Sequence, residues 1–250
     1  MPDSVLFIYT ENPLRIPSEK IGSHRLSFRK GNIPAIPASF VKKALSEIIS
    51  SENTPLSDNI SSDAELLLLP VRSLTGGLLF AASCKGLENL KRSELFSFEI
   101  EPPQDGCALV CDTIPFFSET IPVEDILLKA RKSADLSSLA RRIADTALPP
   151  TEEYSIWREM VSQNIIVVSD TMMEYFVLRS LILSPRLAMN GKVEYEEYVP
   201  QDSLFVAFLD ASALSVRDAG ESVSKGVVFV GAGKRNGFGL SHIRMERRTE

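Results

Sequence analysis

The chain is poor in the residues that carry most enzyme chemistry. Of its 250 residues, two are histidine, His24 and His242, and one is tryptophan, Trp157. No HExxH, GxSxG or DxD occurs, so the sequence signatures of zinc proteases and of serine hydrolases are missing. The cysteines are three, Cys84, Cys107 and Cys111. Cys107 and Cys111 lie four apart with no third and fourth ligand nearby. No metal site or cofactor is therefore expected, and buried apolar cysteine is the better reading. No segment approaches the ~20 apolar residues of a membrane helix. The first residues, MPDSVLFIYTEN, have neither a basic n-region nor a long apolar core. An odd cysteine count without such a signal leads to the expectation of reduced thiols and a cytoplasmic location. Internal repeats and low-complexity tracts are absent.

What is present is an ordinary globular composition, 44% hydrophobic and 24% charged, on a chain long enough to bury a sizeable core as one domain. The net charge of −6 argues mildly against nucleic-acid binding, because phosphate contacts need lysine and arginine. The distribution softens that argument. Between Arg15 and Lys43 stand seven basic residues and one acid, Glu19; between Lys225 and Arg248 stand six and one acid, Glu246. The stretch from Glu94 to Glu153 is acid-rich. Such polarity fits a basic groove with an acidic back, although uneven charge is also common on solvated surfaces.

Periodicity gives the coarse elements. Ser4 to Tyr9 reads as a buried strand, and the proline- and glycine-punctuated stretch from Glu11 to Pro37 as mainly loop with a short strand near Arg25 to Phe28. Ser39 to Ser50 has helical spacing, with Ser39 as its N-cap. Ser50 to Ser62 is a polar loop. Strands follow at Ala64 to Val71 and Leu78 to Ser83, a short helix at Leu87 to Ser93, and strands near Phe98 and at Ala108 to Cys111. Val123 to Thr146 has helical spacing in two pieces. A helix over Glu152 to Ser162, an apolar run at Ile165 to Val168 and a helix capped by Asp170 come next. Asn190-Gly191, between flanks that can pair, predicts a β-hairpin with a type I′ turn. Helices and strands mix without regular alternation, so the fold class is α+β rather than a doubly wound sheet.

Several of these stretches match, in order, motifs of one family. Pro13-Leu14-Arg15 matches a Pro-Leu-His strand end. Ile36 to Leu45 matches an IPGSSLKGAL-like helix start. Asp63 to Gly76 matches DARLLALPVRSLKG. Glu196-Glu197-Tyr198-Val199-Pro200 matches EEYLP, and Gly231 to Gly239 matches a closing GGKxxxGxG loop. Together they resemble the RAMP superfamily of CRISPR type III effectors, and within it the repeated backbone subunit of the Cmr (type III-B) complex. The resemblance spans nearly the whole chain. It implies a single RAMP domain over residues 1–250, with a modified ferredoxin-like (RRM-like) palm, inserted helices, and a β-hairpin thumb over 183–198.

The same resemblance, beside the residues' own chemistry, places a guide-RNA surface. The glycine-rich basic loop carries Gly233, Lys234, Arg235, Asn236 and Gly237; its glycines permit close backbone approach and its cations supply charge. A flexible turn between two strands is the plain alternative. Ser39, Lys42 and Lys43 sit at a helix start, whose free N–H groups suit a phosphate. Arg15, Arg25, Arg72 and Arg186 complete the set of RNA-binding residues. Active relatives resemble one another in an acidic residue between the first strand and first helix. Aligning SHRLSF with the family's VVDLPI-type segment puts Arg25 there, and no Asp or Glu occurs from Lys20 to Ser46. No catalytic residue is therefore expected.

The expected function is a CRISPR RNA-binding backbone subunit, stacked in several copies along the guide beside other type III subunits and holding complementary target RNA without cutting it. No membrane partner is expected. An active target-RNA endoribonuclease using a displaced residue is the alternative, and an RNA-free structural subunit is a third reading that the basic 15–43 stretch disfavours.

Overall fold

The run SVLFIY becomes the central strand β1, Ser4–Thr10, buried along its whole length. A residue set with no polar interruption is what a strand covered on both faces requires. The computed structural model describes residues 4–49, 61–116, 118–188, 190–209 and 226–247. The loop read over Ser50 to Ser62 thus falls, up to residue 60, outside the described residues.

Four short strands follow β1: β2 Pro17–Ile21, β3 His24–Ser27, β4 Arg29–Lys30 and β5 Ile33–Ile36. The short strand read near Arg25 to Phe28 is β3, but the rest of the stretch, read as mainly loop, is also largely strand. Gly22 and Gly31, at φ +60° and +62°, make its tight turns, and pairing rather than apolar content defines the strands. Helix α1 is Ala38–Ile49. Then come β6 Ala64–Ser73, β7 Gly77–Ser83, α2 Cys84–Lys91 and β8 Cys107–Val110. Phe98 lies outside any strand. The helical piece expected from Val123 is instead β9 Thr120–Val123 and β10 Ile126–Lys132, joined by a turn with Glu124 at φ +52°; only α3, Ala134–Ala147, is helical there. In β10 the parallel pairing with β8 decides between two periods that the apolar spacing leaves open.

A 3-10 turn, Glu152–Tyr154, leads into α4 Ser155–Gln163, β11 Ile165–Val168 and α5 Asp170–Ser180. The cap of α5 is Ser169, whose side chain accepts from the Met172 N–H, and not Asp170. The hairpin is β12 Ile182–Leu187 and β13 Val193–Tyr198, and β14 Leu204–Leu209, β15 Gly226–Phe229 and β16 Leu240–Arg247 complete the described elements.

Two sheets result among the described residues. Twelve strands form one, running β15-β16-β1-β14-β6-β7-β11-β8-β10-β9, with β5 beside β6 and β4 beside β5. The other has four strands in the order β12-β13-β3-β2. The fold is α+β as expected. The core lies on the large sheet, where Leu6, Phe7, Ile8, Leu68, Phe80, Phe176 and Phe205 are all but sealed from solvent. No described helix is long and apolar enough to cross a membrane.

The hairpin turn is not type I′. Ala188 N–H donates to Lys192 O at 2.9 Å, and Gly191 N–H donates to Ala188 O at 2.9 Å. Gly191 has φ +75°, whereas Asn190 is not in the positive-φ region. The loop thus has three residues and closes on a single left-handed glycine. Asn190 instead accepts the Lys192 N–H on its side chain at 3.1 Å.

Candidate nucleic-acid interface

In an ordinary surface hairpin the inward side of a strand is apolar. On β13 it is Glu194, Glu196 and Tyr198 that turn inward and Val193, Tyr195 and Glu197 that turn outward. A buried carboxylate costs free energy unless it is paired and hydrogen-bonded, and the neighbouring strands supply the partners. β3 pairs with β13 in parallel, setting Arg25 opposite Glu196, and β2 pairs with β3, setting Lys20 opposite Arg25. On the other flank β12 sets Arg186 opposite Glu194.

The result is a two-carboxylate floor beneath four cations. Glu196 accepts from Arg15 at 2.8 Å and Arg186 at 3.0 Å, with Arg25 at 3.8 Å, and from the Tyr198 hydroxyl at 2.9 Å. Glu194 accepts from Lys20 at 2.5 Å and Arg25 at 3.0 Å. Burial opposes the charge on Glu196, but the Tyr198 hydroxyl and the Arg186 and Arg15 guanidiniums outweigh it and hold the carboxyl below its ordinary range. Hydrogen bonds from Lys20 and Arg25 do the same for Glu194. Four cations on two carboxylates leave two positive charges in surplus. They face outward: the Arg186 side chain is 57% exposed and that of Arg25 44%.

Arg15 joins this row to the glycine-rich loop. Its carbonyl accepts the Ala232 N–H at 2.9 Å, and Gly239 N–H donates to Pro13 O at 2.9 Å. The approach is so close that a Cβ on Gly231 would stand 2.3 Å from the Arg15 carbonyl oxygen, and one on Gly239 2.1 Å from that of Val230. These two glycines serve the packing of chain on chain. Gly233 and Gly237, both left-handed, bracket the 3-10 turn Lys234–Asn236, and the Cβ direction of Gly237 is open. Lys234 pairs with Glu47 of α1 at 3.1 Å and lies over the Phe229 ring. Arg235 and Asn236 are exposed. Phe238 meets the Tyr198 ring at 4.5 Å between centroids, closing the loop onto β13.

The structure therefore brings Arg15, Arg25, Arg186 and the loop from Gly233 to Gly237 onto one surface. Lys43 is exposed and Lys42 half-buried on α1, the helix that Lys234 reaches through Glu47. Ser39 does not cap α1. The helix starts one residue earlier, at Ala38, whose N–H is taken by the Asp63 carboxylate at 2.8 Å. That carboxylate occupies the place read as a phosphate seat. Arg72 stands apart near the far end of β6, where it grips the Glu124 carboxylate at 2.8 Å.

Sequence reasoning missed Lys20, Glu194, Glu196 and Tyr198 as members of the site. The available signal was the alternation in VEYEEY, which puts both carboxylates on one face. His24 is exposed and stacks on Tyr195 at 5.2 Å. His242 is buried on β16; burial, with Arg244 beside it, pushes its pKa down to about 4, so it is neutral at neutral pH.

No protein-family model matches the chain, and no curated protein does. Solved structures do match. The crystal structure of oligomeric Cmr4 from Pyrococcus furiosus superposes with a TM-score of 0.76 at 19% identity, over 100% of both chains. A second Cmr4 crystal structure gives 0.73 at 19% identity, over 98% of this chain and 99% of the other. A chain of the type III-B Cmr-beta complex bound to cognate target RNA, seen by cryo-electron microscopy, gives 0.65 at 15% identity, over 97% and 96%. At such identities the likeness is one of fold: over essentially its whole length the chain has the fold seen in the Cmr4 structures.

Proposed function

We propose that this chain is a CRISPR RNA-binding backbone subunit of a type III effector complex. Several copies stack along one guide RNA beside other subunits of the complex and hold complementary target RNA. In this reading β1, β6, β14 and α1 belong to a modified ferredoxin-like palm, and the β12–β13 hairpin with its sheet is the thumb. The observation that carries the proposal is the surplus of two positive charges on an exposed arginine face beside the glycine loop. Such a face binds phosphate and sugar with little regard to base sequence.

The target is held and not cut. Glu194 and Glu196 supply the carboxylates missing between Lys20 and Ser46, but each is engaged by cations and held charged below its ordinary range. A general base must be free to take a proton. Arg25, permanently charged, pairs with phosphate instead.

Two measurements test this. Arg25→Gln with Arg186→Gln should weaken binding of unrelated single-stranded RNAs and lower the log–log salt slope by about 1.4, at about 0.7 per lost phosphate contact. An unchanged slope would refute the assignment. A labelled complementary RNA incubated with the assembled complex and Mg²⁺ or Mn²⁺ should stay intact. A regularly spaced ladder that vanishes in His24→Ala would overturn the non-cleaving reading.

A further inference from the structure

Glu194 and Glu196 pose a physical puzzle. A surface that binds polyanions is usually improved by removing acids, yet this one buries two beneath its cations. The Glu196 side chain is only 3% exposed and has a full set of partners: two guanidiniums, a third at 3.8 Å, and a tyrosine hydroxyl. Each guanidinium gives up only part of its donors. Arg15 uses Nη2, Arg186 uses Nη1, and Arg25 uses Nε on Glu194. A guanidinium has five N–H donors in a rigid fork, so each keeps donors for another ligand.

We propose that Glu196, seconded by Glu194, is a positioning residue. Its buried carboxylate clamps Arg15, Arg25 and Arg186 in one arrangement, so that their remaining donors face successive phosphates of an RNA strand. The inference rests on reading this face as an RNA surface and adds how that surface is ordered. A long free arginine loses rotamer freedom when it binds, and that loss subtracts from affinity. Here the ordering is complete on folding. The cations come from two segments remote in sequence, Arg15 to Arg25 and the strand of Arg186, so one carboxylate at their meeting point orders several at once.

The proposal makes a prediction of unusual sign. Glu196→Gln keeps the side-chain shape and raises the local charge by one. On a loosely charged surface RNA would then bind more tightly. On a positioned surface it binds more weakly, by about tenfold, the effect of losing one charge-assisted contact, with a shallower salt slope.

The test uses the full chain, a fluorescently labelled single-stranded RNA of mixed sequence, and a series of salt concentrations. In parallel, ¹⁵N spectra of the arginine Nε–H groups report whether Arg15, Arg25 and Arg186 are ordered before RNA is added. Glu197→Gln is the control, because Glu197 pairs with Arg29 and not with this trio. Expected are distinct Nε–H signals, of which those of Arg15 and Arg186 merge with solvent-averaged ones in Glu196→Gln while that of Arg25, held by Glu194, persists, together with weaker RNA binding and no change of slope in the control. Tighter or unchanged binding in Glu196→Gln overturns the proposal, as does averaged arginine behaviour in the natural protein. Should Glu196→Gln fail to fold, Glu194→Gln makes the same comparison through Lys20 and Arg25. If the natural chain shows no salt-dependent RNA binding, the functional reading itself falls, and ordered arginine signals would show that only the RNA half of the inference falls with it.

Discussion

The two sheets are built on opposite principles. Strands β1, β7 and β11 of the large sheet are apolar and buried nearly throughout, and burial of apolar area holds it together. In the small sheet β2 is exposed along its length and β12 nearly so. Its inward carboxylates, Glu194 and Glu196, are tied by Arg15, Lys20, Arg25 and Arg186. Ion pairs of this kind contribute little net stability, so the small sheet exists because the large one positions its ends. Cations with free donors are cheap to keep on such a frame and useless inside an apolar core. The division gives a reason for the proposed binding face to lie there.

The most disruptive way to break the comparison is Phe7→Ala. Phe7 is sealed at the centre of β1 and meets the Phe96 ring edge-on. The substitution should cost about 3–5 kcal/mol and, in urea melts, lower the midpoint for both sheets together. A small sheet that kept its own unchanged transition would show it to be independent.

Next is the seam between them. Gly239 has φ +79° and its Cβ direction is blocked by the Val230 carbonyl, whereas Gly237 has φ +79° with open space. Gly239→Ala should therefore cost about 2–4 kcal/mol, backbone strain plus overpacking, and Gly237→Ala about 1 kcal/mol. Equal thermal shifts for the two would refute the packing role.

Acid should separate the sheets by pH window. His242, on the large sheet, has its folded pKa depressed from 6.5 to about 4. The unfolded chain then takes up the proton more readily, so stability is complete above 6.5 and falls as pH drops from 6.5 to about 4. His242→Gln should flatten that slope. Glu194 and Glu196 are depressed from 4.5, so their contribution is present above 4.5 and is lost as pH falls below it. Amide exchange in β12 and β13 should rise in that lower window. A rise already complete at pH 6 would contradict the assignment.

The smallest effect is that of salt. At 1 M the screening length is about 3 Å, so exchange in β13 should quicken modestly while that in β1 stays unchanged. Quickening in both would erase the distinction between the sheets.

How much of this was legible depended on whether an element's pattern is local and unambiguous, in either sheet. β1, β6, β7, β11 and α5 were readable because their apolar spacing is local and unambiguous. The hairpin was readable from Asn190-Gly191, although only Gly191 takes the left-handed conformation that pattern implies. β9 and β10 were not, since Ile126, Leu127, Leu128 and Ala130 satisfy a helical period as well as an extended one. β3 was read in part, near Arg25 to Phe28, whereas β2 and β4 carry too few apolar residues to announce themselves and the proline in β5 reads as loop. Arg15, Arg25 and Arg186 could be nominated for the interface, yet nothing local to them named their partners.

The sequence by itself determined the apolar runs, hence the buried strands β1, β6, β7 and β11 of the large sheet and the α+β class, because burial of a run is decided by the run's own composition. It also determined that basic residues crowd the stretch from Arg15 to Lys43 and the loop after Gly231. Only the tertiary structure decided that Glu194 and Glu196 lie beneath those cations. Side chains alternate along a strand, so a one-residue slip of β13 would have turned both carboxylates out to solvent. The hairpin fixes the register of β13 on β12, but Lys20 and Arg25 reach the carboxylates only through pairing with β3, about 170 residues away in sequence, a distance over which local pattern carries no information.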